Sequence, residues 1–164
     1  MKSQLGVGLV EVLVALLILA VGLLGFISLQ YQAVEATNES TSRIQAINIA
    51  RDLAERIRVN REGLATYISE LTTAANQATY SRDCSAMGCT VPQMADFDIA
   101  QVSQKARGLG MSINLIDCQG NNDGRQCIYI AWNDTAPTNG TTAGDCTSGT
   151  NYNPASTCLI MEVY

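Results

Sequence analysis

The sequence predicts an α+β protein: a long N-terminal helix, its first half apolar enough to span a membrane, packed on a small C-terminal antiparallel sheet that carries disulfides. Three observations predict it. Residues 7–29 are apolar, glycine or a single serine, with Glu11 the one exception. Residues 31–61 hold neither proline nor glycine, and the first proline of the 164-residue chain is Pro92, so nothing stops a helix begun near residue 7. All six cysteines lie beyond residue 83, between short stretches of alternating polarity.

The first element is the apolar run. Its 23 residues exceed the roughly 20 needed to cross a bilayer core and the 7–15 of a secretory signal. Signal cleavage after Gly22 would also leave Leu23, Leu24, Phe26 and Ile27 with no place to be buried. A transmembrane segment over 7–29 is therefore expected. Lys2 and the α-amino group favour a cytoplasmic N-terminus with all that follows residue 30 translocated.

The helix continues as an amphipathic half over 30–61, a run from residue 7 of roughly 80 Å at 1.5 Å per residue. Ile44, Ile47, Ala50, Leu53, Ala54 and Ile57 recur at three- and four-residue spacing, the mark of a face that docks on a core. A globular region is expected over 62–164. Residues 63–83 are ambiguous, with a short second helix compatible around 64–75. After Thr90-Val91-Pro92, the stretch "QMADFDIAQVSQKARGLG" predicts a helix with proline in its first turn, Lys105 and Arg107 late, and Gly108 or Gly110 as its stop.

The rest reads as strands. "MSINLID" (111–117), "CIYIAWND" (127–134) and "CLIMEVY" (158–164) each place apolar residues at every second position, so each has one inward face. "GNNDG" between the first two is a hairpin signal. Residues 135–157, rich in Gly, Thr, Ser and Asn, predict a long exposed loop.

Cys84, Cys89, Cys118, Cys127, Cys146 and Cys158 form an even set in a loop-rich region, which points to disulfides made in an oxidising compartment. A zinc site is the poorer reading, because the chain has no histidine and no C-x-x-C pair. Six cysteines allow 15 connectivities; pairing of sequence neighbours is the expectation, firmest for Cys84–Cys89.

Composition narrows function. A formal charge of −5 and a pI near 4.6 offer no basic patch, so nucleic acid is not an expected partner. Without histidine, Ser–His and Cys–His nucleophiles are excluded. Asp96 and Asp98 lie two apart on a predicted helix and so diverge, as surface charges would. In "DCQGNNDG" a calcium loop with Gly124 at its glycine position would close on Ile130, which cannot ligate. No catalytic residue, metal or cofactor is expected, and the chain reads as a non-enzyme.

A six-residue stretch ending in Gly6, then Val7-Gly8-Leu9-Val10-Glu11, an unbroken helix and a sheet with disulfides together resemble a type IV pilin. More narrowly, "GVGLVEVLVALLILAVGLLG" and "CSAMGCTVPQMADFDIAQ" resemble the minor pilins of the PilV class. Val7, where major pilins usually have phenylalanine, and the absence of a helix-kinking proline count against a major subunit and leave a minor one intact. The resemblance implies a leader at residues 1–6, cut between Gly6 and Val7 by a prepilin peptidase that also methylates the new amino group of Val7. It gives Glu11 a role in assembly, pairing with the terminal ammonium of a neighbouring subunit. It implies as partners other minor pilins and the major pilin, with a tip adhesin a further candidate. It also implies residence in the inner membrane, head in the periplasm, and then in a surface pilus. The competing readings of the sequence are a type II secretion minor pseudopilin and a monomeric membrane-anchored binding module. Glu11 itself has a plainer reading, a carboxylate that sits among lipid headgroups or at the positive end of a helix dipole.

Overall fold

The computed structural model describes residues 8–120 and 122–163. By packing, the chain divides into a unit of Met1–Thr41 and a unit of Ser42–Tyr164. Helix α1 runs Leu9–Val59, 51 residues, as expected where nothing breaks it. In the first unit none of the described residues is buried. Thr37 Oγ1 and Thr41 Oγ1 donate to the carbonyls of Ala33 and Thr37 at 2.8 and 2.9 Å, so these hydroxyls are satisfied within the helix.

In the second unit, α1 ends at Asn60, whose Nδ2 donates to the Val91 carbonyl at 2.9 Å. A short 3-10 turn, Arg61–Gly63, follows. Gly63 leaves room for the Asn60 side chain, because a Cβ there would stand 2.8 Å from Asn60 Nδ2 and push it from its bond to Val91. Helix α2 is Leu64–Thr72, and a further 3-10 turn covers Asn76–Ala78. Helix α3, Val91–Gly108, starts with proline in its first turn and Gln93 Oε1 accepting the Thr90 N–H at 3.1 Å, one arm of a capping box. Gly110 at φ +71 reverses the chain behind it, a conformation that favours glycine.

Strands β1 (Met111–Asp117), β2 (Gln126–Trp132) and β6 (Cys158–Glu162) form an antiparallel sheet in the order β1-β2-β6. Met111 pairs with Trp132 and Asp117 with Gln126, while Cys127 faces Glu162. One core joins residues 46–57 of α1, the inner faces of α2 and α3, and Met111, Ile113, Leu115, Ile128, Ile130 and Trp132.

Two expectations need correction. Ile44 is 57% exposed and Ile47 only half-buried, whereas Ala46 and Ile49 are buried, so the inward stripe is Ala46, Ile49, Ala50, Leu53, Ala54 and Ile57. Ile44 sits two residues before Ala46, about 200° round the helix, and cannot share its face. The span 135–157 is not simply a loop. It holds β3 (Ala136–Asn139), β4 (Asp145–Ser148) and β5 (Asn151–Tyr152), a second small sheet. β3 pairs with β4 in parallel and β4 with β5 antiparallel. These strands lack an apolar period; side-chain bonds hold them instead, Thr138 to Asp145, Thr147 Oγ1 to Asn139 Oδ1 at 2.9 Å and Asn153 Nδ2 to the Asp145 carbonyl at 2.6 Å. Every residue of β2 is buried as a result. Its Ile128–Ile130–Trp132 face meets the helices, and its Cys127–Tyr129–Ala131 face lies in a second cluster with Cys118, Cys146 and Cys158.

Candidate functional site

The apolar half of α1 is the candidate assembly surface. An 18-residue window reaches a mean hydropathy of 2.9 with none of it buried. Leu9, Leu17 and Phe26 are 78%, 65% and 59% exposed, far more apolar surface than a water-soluble protein tolerates. Glu11 lies in the first turn, exposed, its backbone N–H donating to the Gly8 carbonyl at 2.9 Å. The turn holds a carboxylate among aliphatic side chains, near the positive end of the helix dipole. Gly6 and Val7, the expected leader cleavage and methylation positions, lie outside the described residues.

The six cysteines pair as Cys84–Cys89, Cys118–Cys127 and Cys146–Cys158. Cys84 and Cys89 are half-buried ahead of α3, whereas the other four lie in the second cluster, Cys146 with no exposure at all. Among the described residues, no group of three or more His, Cys, Asp or Glu side chains converges as metal ligands would.

An ionic network that sequence reasoning missed ties α1, α2 and α3 together. Asp98, expected on the surface, is 6% exposed. Its Oδ1 accepts Arg56 Nη1 at 2.6 Å and its Oδ2 accepts the Tyr67 hydroxyl at 2.6 Å. Arg56 Nε also donates to Asp52 Oδ1 at 2.8 Å, and Lys105 Nζ reaches Asp52 Oδ2 at 3.3 Å. Burial pushes the Asp52 carboxyl up, but the hydrogen bonds and charges of Arg56 and Lys105 outweigh it and hold Asp52 below the usual carboxylate range. Asp96 accepts the Ser81 N–H at 2.6 Å and is indeed apart from Asp98. The signal for Asp98 was present: it stands between Ala95 and Val102 on the apolar face of α3, where an acid needs partners.

Residues 1–27 match the prokaryotic N-terminal methylation motif, and residues 28–100 match type IV pilin Tt1218. No curated protein and no solved structure matches the chain. A long apolar N-terminal helix, a small antiparallel sheet with three disulfides and a methylation motif together describe a structural subunit of pilin type. Over residues 1–100 the chain is type IV pilin-like, with a helix long and apolar enough to cross a membrane and a motif that implies processing by a prepilin peptidase and assembly with other pilins.

Proposed function

We propose that the protein is a minor pilin that helps initiate, assemble or cap a type IV pilus, and that Glu11 is its docking key. The observation that carries this is Glu11 itself, the only ionisable side chain in residues 7–29. A charge in mid-bilayer costs about 2.5–3.5 kcal/mol on insertion scales, less near an end of the span, and pairing within an assembly gives a reason to carry even the smaller cost. Cleavage between Gly6 and Val7 would create an ammonium four residues before Glu11. Inside an apolar bundle of helices, that group on one subunit and Glu11 on the next would each be strongly penalised without the other.

In this reading residues 1–6 are the leader, 7–29 the membrane-spanning part, 30–61 the amphipathic continuation and 62–164 the extracytoplasmic part. The N-terminus faces the cytoplasm, and the protein passes from the inner membrane into the pilus alongside other minor pilins and the major pilin. Val7 and the proline-free helix support a minor rather than a major subunit.

The test is Glu11→Val, scored by its share in sheared pili against its share in the membrane. It should insert and lose its leader but fail to enter the filament, since removing one side of a buried ion pair costs about 3–5 kcal/mol, over a hundredfold in association. Glu11→Gln should fall between. Incorporation of Glu11→Val at the wild-type level would refute the proposal.

A further inference from the structure

Strand β6 is the last of its sheet, with β2 on one side and, among the described residues, no strand on the other. Two bonds fix which of its backbone groups remain open. The Val163 N–H donates to the Gln126 carbonyl at 2.9 Å, and the Trp132 N–H to the Thr157 carbonyl at 3.0 Å. Ile130 faces Leu159 and Ile128 faces Met161 in the same register. Hydrogen-bonded pairs alternate along an antiparallel ladder, so residues 157, 159, 161 and 163 turn their backbone groups toward β2. Those of Cys158, Ile160 and Glu162 point the other way, a row of donors and acceptors on a strand about 17 Å long.

An edge of this kind invites pairing unless lysine, proline, a bulge or a covering segment blocks it. β6 has no lysine, no proline and an unbroken register, and its one charge, Glu162, is held by Arg125 at 2.6 Å. The opposite edge is treated differently: Asn114 on β1 donates from Nδ2 to the Pro137 carbonyl at 3.1 Å and ties that edge to the second sheet. Two cavities flank the β6 edge instead of a cover. One, of ≈ 350 Å³, is lined by Leu159, Tyr152, Pro154 and Ser156. The other, of ≈ 180 Å³, is lined by Ile160, Glu162, Thr150 and Tyr152. Tyr152, 52% exposed, belongs to both, and Thr150, Pro154 and Glu162 are exposed too, so these walls are open to a visitor.

We propose that the β6 edge takes up an extended segment of another protein as an added strand. The backbone of that segment bonds the open N–H and C=O groups of Cys158, Ile160 and Glu162, and its side chains enter the cavities on either side of Tyr152. Main-chain bonds then supply affinity and the cavities supply choice. The segment that fits is free of proline and rich in β-branched residues. The edge has no part in the pairing of Glu11, so the two proposals fail independently.

The probe is a dye-labelled heptapeptide, Lys-Thr-Val-Thr-Val-Thr-Lys, titrated with the full chain in nanodiscs of zwitterionic lipid, with empty nanodiscs as the blank. A saturable rise in anisotropy above the blank is expected, together with slower hydrogen exchange over residues 157–163. A probe with proline at its centre should bind about tenfold more weakly or worse, because it lacks a donor and breaks the added strand. On the protein, Glu162→Pro removes an outward N–H and no bond to β2. It should melt within about 4 °C of the wild type yet bind the probe about tenfold more weakly, whereas Glu162→Ala should bind within about twofold, its ion pair being exposed. Absence of saturation, unchanged exchange over 157–163, equal binding of the proline probe, or a folded Glu162→Pro protein that binds like the wild type would overturn the proposal. Should Glu162→Pro not fold, the proline probe decides the matter without any variant.

Discussion

Tyr67 and Asp98 meet at 2.6 Å, with Arg56 on the other carboxylate oxygen at 2.6 Å, and this small group sets how the packed unit responds to alkali. Burial, reinforced by the hydrogen bond to Asp98, raises the Tyr67 hydroxyl well above the usual tyrosine value of about 10. A group whose pKa is higher in the folded state adds stability that is fully present below its unfolded pKa. That stability drains away as the pH climbs past about 10, where the unfolded chain releases a proton that the folded one keeps. Tyr67→Phe should therefore lower stability at neutral pH by about 1–3 kcal/mol, because Asp98 loses a donor. It should also lose less than the wild type between pH 9 and 11, roughly the window set by that value. Denaturant midpoints across this range decide it, and an equally steep alkaline fall in both proteins would contradict the assignment. Asp98 shows what single-residue reading misses. Its spacing from Asp96 correctly separates the two side chains, and its place between Ala95 and Val102 turns it inward, but the partners that satisfy it there, Arg56 and Tyr67, lie far away in sequence.

Among the elements, those with a clear period were legible. β1 occupies 111–117 as its alternation requires, and α3 carries its cap, proline and terminal cations in sequence order. α2 was only suggested, being nine residues long. The second sheet was illegible because its strands of four, four and two residues are held by side-chain bonds and by the Cys146–Cys158 bridge rather than by an apolar face. The bridges themselves differ in what surrounds them. Loop-closure entropy for separations of 5, 9 and 12 residues spans only about 2 to 3 kcal/mol, so burial must decide their ranking. Replacing Cys146 and Cys158 together by alanine should cost about 3–5 kcal/mol, since it both frees the second sheet and opens a cavity in its cluster. The same change at Cys84 and Cys89, half-buried on a connecting segment, should cost about 2 kcal/mol or less. Urea midpoints of the two double variants test this, and equal losses would show that burial is not what separates them.

Across the whole molecule, every buried residue among those described lies at or beyond Ala46. A protein lacking residues 1–28 should therefore be soluble without detergent and melt within about 4 °C of the full chain, the shift that roughly 1 kcal/mol would cause. A much larger drop would mean that the apolar segment contributes to folding as well as to anchoring. The sequence made the division between an apolar stretch and a packed region plain, because length and hydropathy alone mark it. What it left open was the other side of β2, covered by a sheet without sequence signature. The order of the bridges along the chain carries one more meaning. Each cysteine is joined to the next one in sequence, so a chain emerging amino end first offers each thiol its native partner before any other appears. If oxidation keeps pace with emergence, no more than one thiol ever waits alone, and the protein reaches its final pairing in single file, with no wrong bridge to undo.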